Sequence, residues 1–265
     1  MTTYSQIAGV LRMRRVRVIA HRGDSRHAPE NTLPAFTAAA QLHVNFVELD
    51  YRHSADGVPF AFHDEDLDRC TDACAQWGGR KIPFAAKTAA ELRTLDAGAW
   101  FNPRFAGTRI PTLEEAIDAI CAGGSLPLIE RKAGDAATFI ELAARRGNAD
   151  RVALMAFDWD FLAACRSLSP KLTLGALGEK ELSERQLDQI VSIGAAFVGW
   201  NNEHLTKAHI DAIHERGLQA WVWTVDDPRR AEQLIDFGID AITSNVPAAI
   251  QAVVAAHPQA SGPRI

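Results

Sequence analysis

The stretch FVELDYRHSADGVPFAFHD, residues 46–64, holds two β-rich runs, Phe46–Asp50 and Pro59–His63, on either side of the turn dipeptide Asp56-Gly57. A parallel crossover needs a dozen or more connecting residues, usually a helix, and there is no room for one here. The two runs are therefore predicted to form a hairpin. Further β-rich runs lie at Val16–Ala20, Leu126–Glu130, Val152–Phe157, Leu172–Leu177, Phe197–Trp200, Ala220–Val225 and Ala241–Thr243. Helical stretches such as Leu33–Leu42, Leu113–Cys121, Ala136–Arg146 and Pro228–Phe237 separate most of them. Gly147 after Arg145 and Arg146 reads as a helix stop, and Pro228 after Asp226 and Asp227 as a helix start. Nine strand candidates are one too many for a closed parallel barrel, and assigning Pro59–His63 to the hairpin leaves eight. The predicted fold class is α/β, a (β/α)8 TIM barrel, in preference to a doubly wound sheet. No GxGxxG or GxxxxGK[ST] sequence follows any of these runs, which weakens a nucleotide-binding alternative.

The hairpin also places the one long irregular segment. Residues 65–110 have weak periodicity and scattered Gly, Pro and aromatics. A loop of that length in a compact domain is functional or an inserted subdomain. It is expected to be a small insertion over the barrel mouth, with one helix near Ala89–Leu95, inside a single domain spanning residues 1–265. Trp77, Phe84, Trp100, Phe101 and Phe105 are expected to form the insertion's own small core; the alternative is a membrane-facing patch. His257–Ile265 reads as a frayed tail.

Composition narrows the function classes. The chain has 265 residues, 47% hydrophobic and 23% charged, enough to bury a sizeable core. Its formal net charge of −5 argues against a nucleic-acid partner held by phosphate neutralisation. Four cysteines (Cys70, Cys74, Cys121, Cys165) are too few for a disulfide scaffold and lack the spacing of a zinc site, so they read as buried thiols. No apolar run approaches the ~20 residues of a membrane span, and Arg12, Arg14, Arg15 and Arg17 are not followed by the apolar core of a secretion signal. A cytoplasmic protein without a stable membrane anchor is expected, and nothing in the sequence speaks to its oligomeric state.

In a (β/α)8 barrel the chemistry sits at the C-terminal ends of the strands. Those ends carry His21-Arg22-Gly23, Glu48-Leu49-Asp50, His63-Asp64, Glu130-Arg131-Lys132 and Trp223-Thr224. Glu48 and Asp50 are two apart and share a face, as do Glu130 and Lys132, whereas Arg131 should point outward. Converging carboxylates repel unless neutralised, and an oxygen-preferring divalent cation, Mg²⁺ or Ca²⁺, does this better than Zn²⁺. The alternative is a barrel-interior ion pair of Glu48 with Lys132 or Arg22. His21 and His63 face the same carboxylates and can serve as a base and an acid in one displacement. The remaining histidines, 27, 43, 53, 204, 209, 214 and 257, read as structural. Arg22 and Lys132 supply fixed positive charge suited to phosphate. A phosphodiester fits all of these groups: metal and cations offset its anionic repulsion of a nucleophile, and a histidine protonates the departing alkoxide.

These residues resemble those of the glycerophosphodiester phosphodiesterase family. The likeness runs through His21-Arg22-Gly23, Pro29-Glu30-Asn31-Thr32, Ala35-Phe36, Glu48-Leu49-Asp50, Asp56-Gly57, Pro59 and His63-Asp64 with Leu67, Arg69 and Thr71. It resumes at Leu95-Asp96-Ala97-Gly98, Ile110-Pro111-Thr112-Leu113-Glu114-Glu115, Glu130 with Lys132, and Trp223-Thr224-Val225. The resemblance implies a TIM barrel with an insertion after the HD segment, and metal-dependent hydrolysis of small glycerophosphodiesters, such as glycerophosphocholine or glycerophosphoethanolamine, to an alcohol and sn-glycerol 3-phosphate. It implies that His21 and His63 are catalytic and that Glu48, Asp50 and Glu130 hold the metal. It further implies that Arg22 and Lys132 bind phosphate, that Trp223 packs near the glycerol, and that Asn31 reaches the phosphate. Glu30 and Asn31 would shape the first loop or, alternatively, cap the following helix. The chain departs from the family pattern at Met155-Ala156, where serines are frequent, at Ser244-Asn245-Val246-Pro247, where Thr-Asp-x-Pro is common, and at Cys70, a frequent threonine. Water or the substrate's own hydroxyl could be the nucleophile, and which histidine is acid stays open. Competing expectations are a lysophospholipase D-like lipid phosphodiesterase and a non-catalytic phosphate-ligand binding barrel.

Overall fold

The computed structural model describes residues 6–13, 15–145 and 150–261. Its strands are β1 (Arg17–Ala20), β2 (Phe46–His53), β3 (Pro59–Ala61), β4 (Leu126–Arg131), β5 (Ala153–Ala156), β6 (Thr173–Gly178), β7 (Phe197–Asn201), β8 (Gln219–Trp223) and β9 (Ala241–Ser244). The order β1-β9-β8-β7-β6-β5-β4-β2 closes through a β1–β2 pairing, and every pair around this ring is parallel. β3 stands outside the ring, antiparallel to β2, with Tyr51 opposite Ala61 and His53 opposite Pro59. The result is an eight-stranded parallel TIM barrel carrying the expected hairpin.

The surrounding helices are α2 (Leu33–Gln41), α5 (Leu113–Ala122), α6 (Ala136–Arg145), α7 (Trp159–Leu168), α8 (Glu184–Ile193), α9 (Lys207–Glu215), α10 (Pro228–Asp236) and α11 (Pro247–Ala256). Their starts follow local chemistry. Thr112, Ser183 and Thr206 form capping boxes, and the Asp227 carboxylate accepts from the Arg229 N–H ahead of Pro228. The helix stop expected at Gly147 lies outside the described residues.

Apolar side chains from alternate strand positions fill the barrel from within: Ile19, Phe46, Leu128, Met155, Leu177, Phe197 and Trp221. Phe197 and Trp221 stack with centroids 3.7 Å apart. Gly175 makes room for this, since a Cβ there would lie 2.0 Å from the Phe197 ring. Besides α3 (Ala73–Trp77), a second helix in the segment where one was expected, the sequence does not show helix α1 (Gln6–Leu11), whose fully buried Ile7 joins this cluster beside the strand starts. The Arg17 guanidinium at the start of β1 ties it there by donating to the Val10 and Leu11 carbonyls at 3.0 and 3.1 Å. Six residues are too few to display a helical period, so only the tertiary contact reveals the plug.

Residues 65–110 contain α3 (Ala73–Trp77), α4 (Ala89–Leu92) and two short 3-10 turns, with a hydrophobic cluster distinct from the barrel's. That cluster combines Phe60 and Phe62 of the hairpin arm with Leu67, Phe84, Leu92 and Leu95. The aromatic expectation is corrected in part. Phe84 is buried and Trp77 packs at the cluster's edge, but Trp100, Phe101 and Phe105 form a separate edge-to-face ladder with centroid spacings of 5.7 and 5.8 Å. The tail is also corrected. Pro258–Ser261 is a 3-10 turn, and the Ala260 carbonyl accepts from the Val16 N–H at 3.0 Å, so this part is fastened rather than frayed. Residues 262–265 lie outside the described set. All four cysteines are free; Cys70 and Cys165 are buried, whereas Cys74 and Cys121 are only half-buried.

Candidate active site

The site begins where β1 turns sharply. Arg22 and Asn31 both adopt left-handed backbone conformations, with φ of +56° and +55°, costly for residues with a side chain and held here by the bonds around them. The Arg22 N–H donates to Glu48 Oε2 at 2.8 Å, and the Asn31 N–H donates to the Arg22 carbonyl at 3.0 Å. The Asn31 amide grips Asp50 twice: Nδ2 donates to Oδ2 at 2.9 Å, and Oδ1 accepts from the Asp50 N–H at 3.1 Å. The first loop is thereby strapped to the end of β2. Between the two residues Gly23 has φ +83°, and a Cβ there would meet the Ala35 carbonyl carbon at 2.6 Å. Gly23→Ala is expected to cost about 2–3 kcal/mol of stability by clash and strain, read as a lowered urea midpoint with unchanged m.

Three carboxylates converge beside this loop. Glu48 and Asp50 project from the same face of β2, and Glu130 is the register partner of Asp50 on β4. Each offers an oxygen within 4.8 Å of the others, and the residues are only 1%, 0% and 8% exposed. Glu48 Oε1 is buried without a hydrogen-bond donor. Lys132 Nζ forms ion pairs with both neighbours, 3.4 Å from Asp50 Oδ1 and closer to Glu130 Oε1. Burial, with the charges of Asp50 and Glu130, pushes the Glu48 carboxyl well above its usual range. Burial and Asp50 push Glu130 up to about 7. Burial opposes ionisation of Asp50 as well, yet Arg22 and Lys132 together hold it at about 2. Three buried carboxylates with oxygens within 4.8 Å of one another, Glu48 Oε1 having no donor at all, form the all-oxygen set that a hard divalent cation takes as ligands, so the residues fit such an ion.

The simple ion-pair alternative for Glu48 is not what forms, because both cations go elsewhere. The Arg22 side chain sits 3.1 Å from Asp50 Oδ2 and donates to Glu30 Oε1 at 2.8 Å, and Lys132 pairs with Asp50 and Glu130. Arg131 points outward as expected, onto Asp158 and the Phe161 ring.

The two histidines have different supports. His21 Nδ1 lies 2.6 Å from Asn245 Oδ1, whose own Nδ2 donates to Asp226 Oδ2 at 2.7 Å. Burial and the neighbouring Arg22 charge lower the His21 pKa to about 4, against the opposing effect of Asn245. His63 Nδ1 lies 2.7 Å from Asp64 Oδ1, and its carbonyl accepts from Arg52 Nε at 2.8 Å. Arg69 binds Asp64 with two N–H groups, at 2.6 and 2.9 Å, and Glu30 with two more, both at 2.7 Å. A continuous chain of charge thus runs His63–Asp64–Arg69–Glu30–Arg22–Asp50.

That chain decides between the two readings of Glu30. Glu30 does not cap the following helix, where Thr32 is the N-cap and no side chain caps it; it joins Arg22 to Arg69. The Asn31 amide is committed to Asp50 and stands outside the lining of the main cavity. Asp64, Arg69, Asn245 and Asp226 were given no role from sequence; the usable signals were the adjacency of Asp64 to His63, Arg69 in the family-like run and Asn245 in a departure from it.

Burial opposes ionisation of both Asp64 and Glu30, but the His63 and Arg69 hydrogen bonds on Asp64 and the Arg69 hydrogen bonds on Glu30 outweigh it, and both carboxyls titrate below their ordinary 3.8 and 4.5. A depressed carboxyl contributes stability above its unfolded pKa and loses it as pH falls. The stability gap between wild type and Arg69→Met is therefore expected to be full at pH 6 and to shrink below about pH 4, measured by urea unfolding across pH.

A cavity of about 250 Å³ opens onto these groups, lined by His21, Arg22, Glu48, His63, Glu130 and Lys132 on one side. Its other wall is aromatic and apolar. Trp223 is oriented by its Nε1–H donating to the Gly199 carbonyl at 3.1 Å and meets Phe157 edge-to-face at 5.6 Å. Met155, one of the departures from the family pattern, lines the cavity with Leu128 and Leu177.

Comparisons with known proteins agree with this geometry. The family model described as "Glycerophosphoryl diester phosphodiesterase family" matches residues 21–249. A glycerophosphodiester phosphodiesterase of Caldanaerobacter subterraneus is 31% identical over 236 residues, 87% of this chain and 94% of that protein. One from Bacillus subtilis is 28% identical over 255 residues, 88% of this chain and 84% of that protein. Among solved structures, an Oleispira antarctica phosphodiesterase in complex with the product sn-glycerol-3-phosphate superposes with a TM-score of 0.84 at 29% identity, covering 91% of this chain and 98% of that chain.

Proposed function

The chain belongs to the glycerophosphoryl diester phosphodiesterase family and is an enzyme of that activity; on that premise we propose that it hydrolyses small glycerophosphodiesters, such as glycerophosphocholine or glycerophosphoethanolamine, to an alcohol and sn-glycerol 3-phosphate at the Glu48–Asp50–Glu130 site. The observation that carries this reading is the trio of buried carboxylates whose oxygens converge within 4.8 Å of one another, beside two differently supported histidines at one cavity. The product held by the Oleispira relative supports the substrate class.

Glu48, Asp50 and Glu130 would hold Mg²⁺ or Ca²⁺. Such an ion neutralises charge on a phosphoryl oxygen and so eases attack on the diester. Arg22 and Lys132 stand at the same cavity and bind the remaining phosphate charge, and Asn31 and Glu30 hold Asp50 and Arg22 in place for them. Trp223 packs on the glycerol arm. His21, half-buried and held neutral by its surroundings, accepts the proton of the nucleophile, whether water or the substrate's hydroxyl. His63, backed by the Asp64 carboxylate, carries the proton that the leaving alkoxide takes. Residues 65–110 form a subdomain over the mouth: Arg69 on this segment reaches into the charge chain, and the Arg104 guanidinium donates to the His27 carbonyl of the first loop at 2.9 Å. No helix of the described residues is long and apolar enough to cross a membrane, and four free thiols favour a cytoplasmic setting.

The test is glycerol 3-phosphate release from glycerophosphocholine, with EDTA and then with Mg²⁺ or Ca²⁺ restored. Release that stops on chelation and returns with one ion is expected. Release only from lysophosphatidylcholine would move the assignment to a lipid phosphodiesterase. No release from either substrate with any metal would leave a binding barrel.

A further inference from the structure

We infer that Asn245, held by Asp226, is a positioning residue that locks His21 in the tautomer with its proton on Nδ1 and its lone pair on Nε2. This rests on the reading of His21 as a proton-transfer group. The argument is one of donor and acceptor parity. The Asp226 carboxylate can only accept. It does so at Oδ1 from the Asn245 backbone N–H at 2.8 Å and the Ser244 hydroxyl at 2.9 Å, and at Oδ2 from Asn245 Nδ2 at 2.7 Å. The amide nitrogen therefore faces Asp226, and the amide oxygen must face His21. The Ser25 hydroxyl donates to that same oxygen at 3.1 Å. An amide oxygen can only accept, so His21 Nδ1, 2.6 Å away, must donate. The lone pair is left on Nε2, and the ring lines the cavity. The backbone completes the clamp, because the His21 N–H donates to the Ser244 carbonyl at 2.9 Å.

An amide in this place sets the tautomer without putting a negative charge against the ring. The charges that face His21 are Arg22, Asp50 and Glu30, with the Asp226 carboxylate one residue further out. Burial and Arg22 then keep the ring neutral, and a carboxylate in place of the Asn245 amide would work against them.

The discriminating experiment exchanges the two side chains. Kinetics of glycerol 3-phosphate release are measured from pH 5 to 9, with the activating metal present, for Asn245→Ala, Asn245→Asp, the double variant Asn245→Asp with Asp226→Asn, and His21→Ala. Asn245→Ala is expected to lower kcat about 10–100-fold with little change in KM. Asn245→Asp alone sets two carboxylates against each other where a donor and an acceptor now meet, and is expected to be impaired as well. The exchange keeps the shape, lets the amide now at position 226 donate to the carboxylate now at position 245, and presents that carboxylate to Nδ1. It should recover most of kcat and move the acid limb of the pH profile to higher pH. A merely structural role for Asn245 would restore activity without moving that limb. Wild-type kcat in Asn245→Ala, or an exchange variant whose acid limb stays in place, overturns the inference. An active His21→Ala instead overturns the reading beneath it.

Discussion

Glu48→Gln is expected to lower glycerophosphodiester turnover about a thousandfold while leaving the metal-free protein as stable as wild type or slightly more so. The two effects have one origin. Glu48 is 1% exposed and has carboxylate oxygens of Asp50 and Glu130 within 4.8 Å, so in the absence of a cation its charge is opposed by burial and by two like neighbours. Glutamine keeps the shape and can still accept the Arg22 backbone N–H, which fixes the first loop. It removes the repulsion, and relief of about 1 kcal/mol would raise Tm by roughly 2–4 °C in a protein of this size. The same change removes an anionic ligand from a site that needs several kcal/mol of charge stabilisation in the transition state. Thermal melts with and without metal separate the two effects. Wild type should gain about 2.7 kcal/mol when the ion is at a hundred times its Kd, and Glu48→Gln should gain little. A wild-type Tm indifferent to Mg²⁺, Ca²⁺ and EDTA, together with full activity in Glu48→Gln, would remove the cation from this site.

His21→Ala and His63→Ala should each lose about 10²–10⁴ in kcat, the usual worth of a positioned proton-transfer group. The substrate distinguishes them. If His63 with its Asp64 partner protonates the leaving alkoxide, a diester of glycerol phosphate with p-nitrophenol, whose anion departs without help, restores much of the rate to His63→Ala. His21→Ala stays slow on that substrate, because the nucleophile still has to lose its proton. The reverse pattern would exchange the two roles, and near-wild-type rates on the natural diester in either variant would remove that histidine from the mechanism. Asp64→Asn should follow His63→Ala in direction with a smaller loss, since the amide keeps the Nδ1 contact but not the charge.

The barrel was legible because its units are local. The Asp56-Gly57 turn separates β2 from β3 without room for a helix, and the strand–helix alternation over the rest of the chain permits few other topologies. Glu48 and Asp50 were legible as a pair because a strand has a period of two, and Glu130 because the rule about strand ends applies to β4 as it does to β2. Helix α1 was not, since a six-residue segment shows no period and its burial depends on strand starts scattered through the chain. Nor was the use of Glu30, for which local rules leave both a loop-shaping role and a helix cap. Its actual partners, Arg22 and Arg69, are brought together by the packing of the first loop against the segment after the hairpin.

By itself, then, the sequence determined which residues stand at the mouth of the barrel, because strand period, turn chemistry and chain direction act over a few residues and leave little choice. Which of those residues hold one another was decided only by the tertiary structure. Asn31 on Asp50, Arg69 between Asp64 and Glu30, and Asn245 between His21 and Asp226 join positions as far as 19, 39 and 224 residues apart. Hydrogen bonds of fixed polarity between such distant residues depend on strand register and loop packing, which no local pattern in the chain encodes.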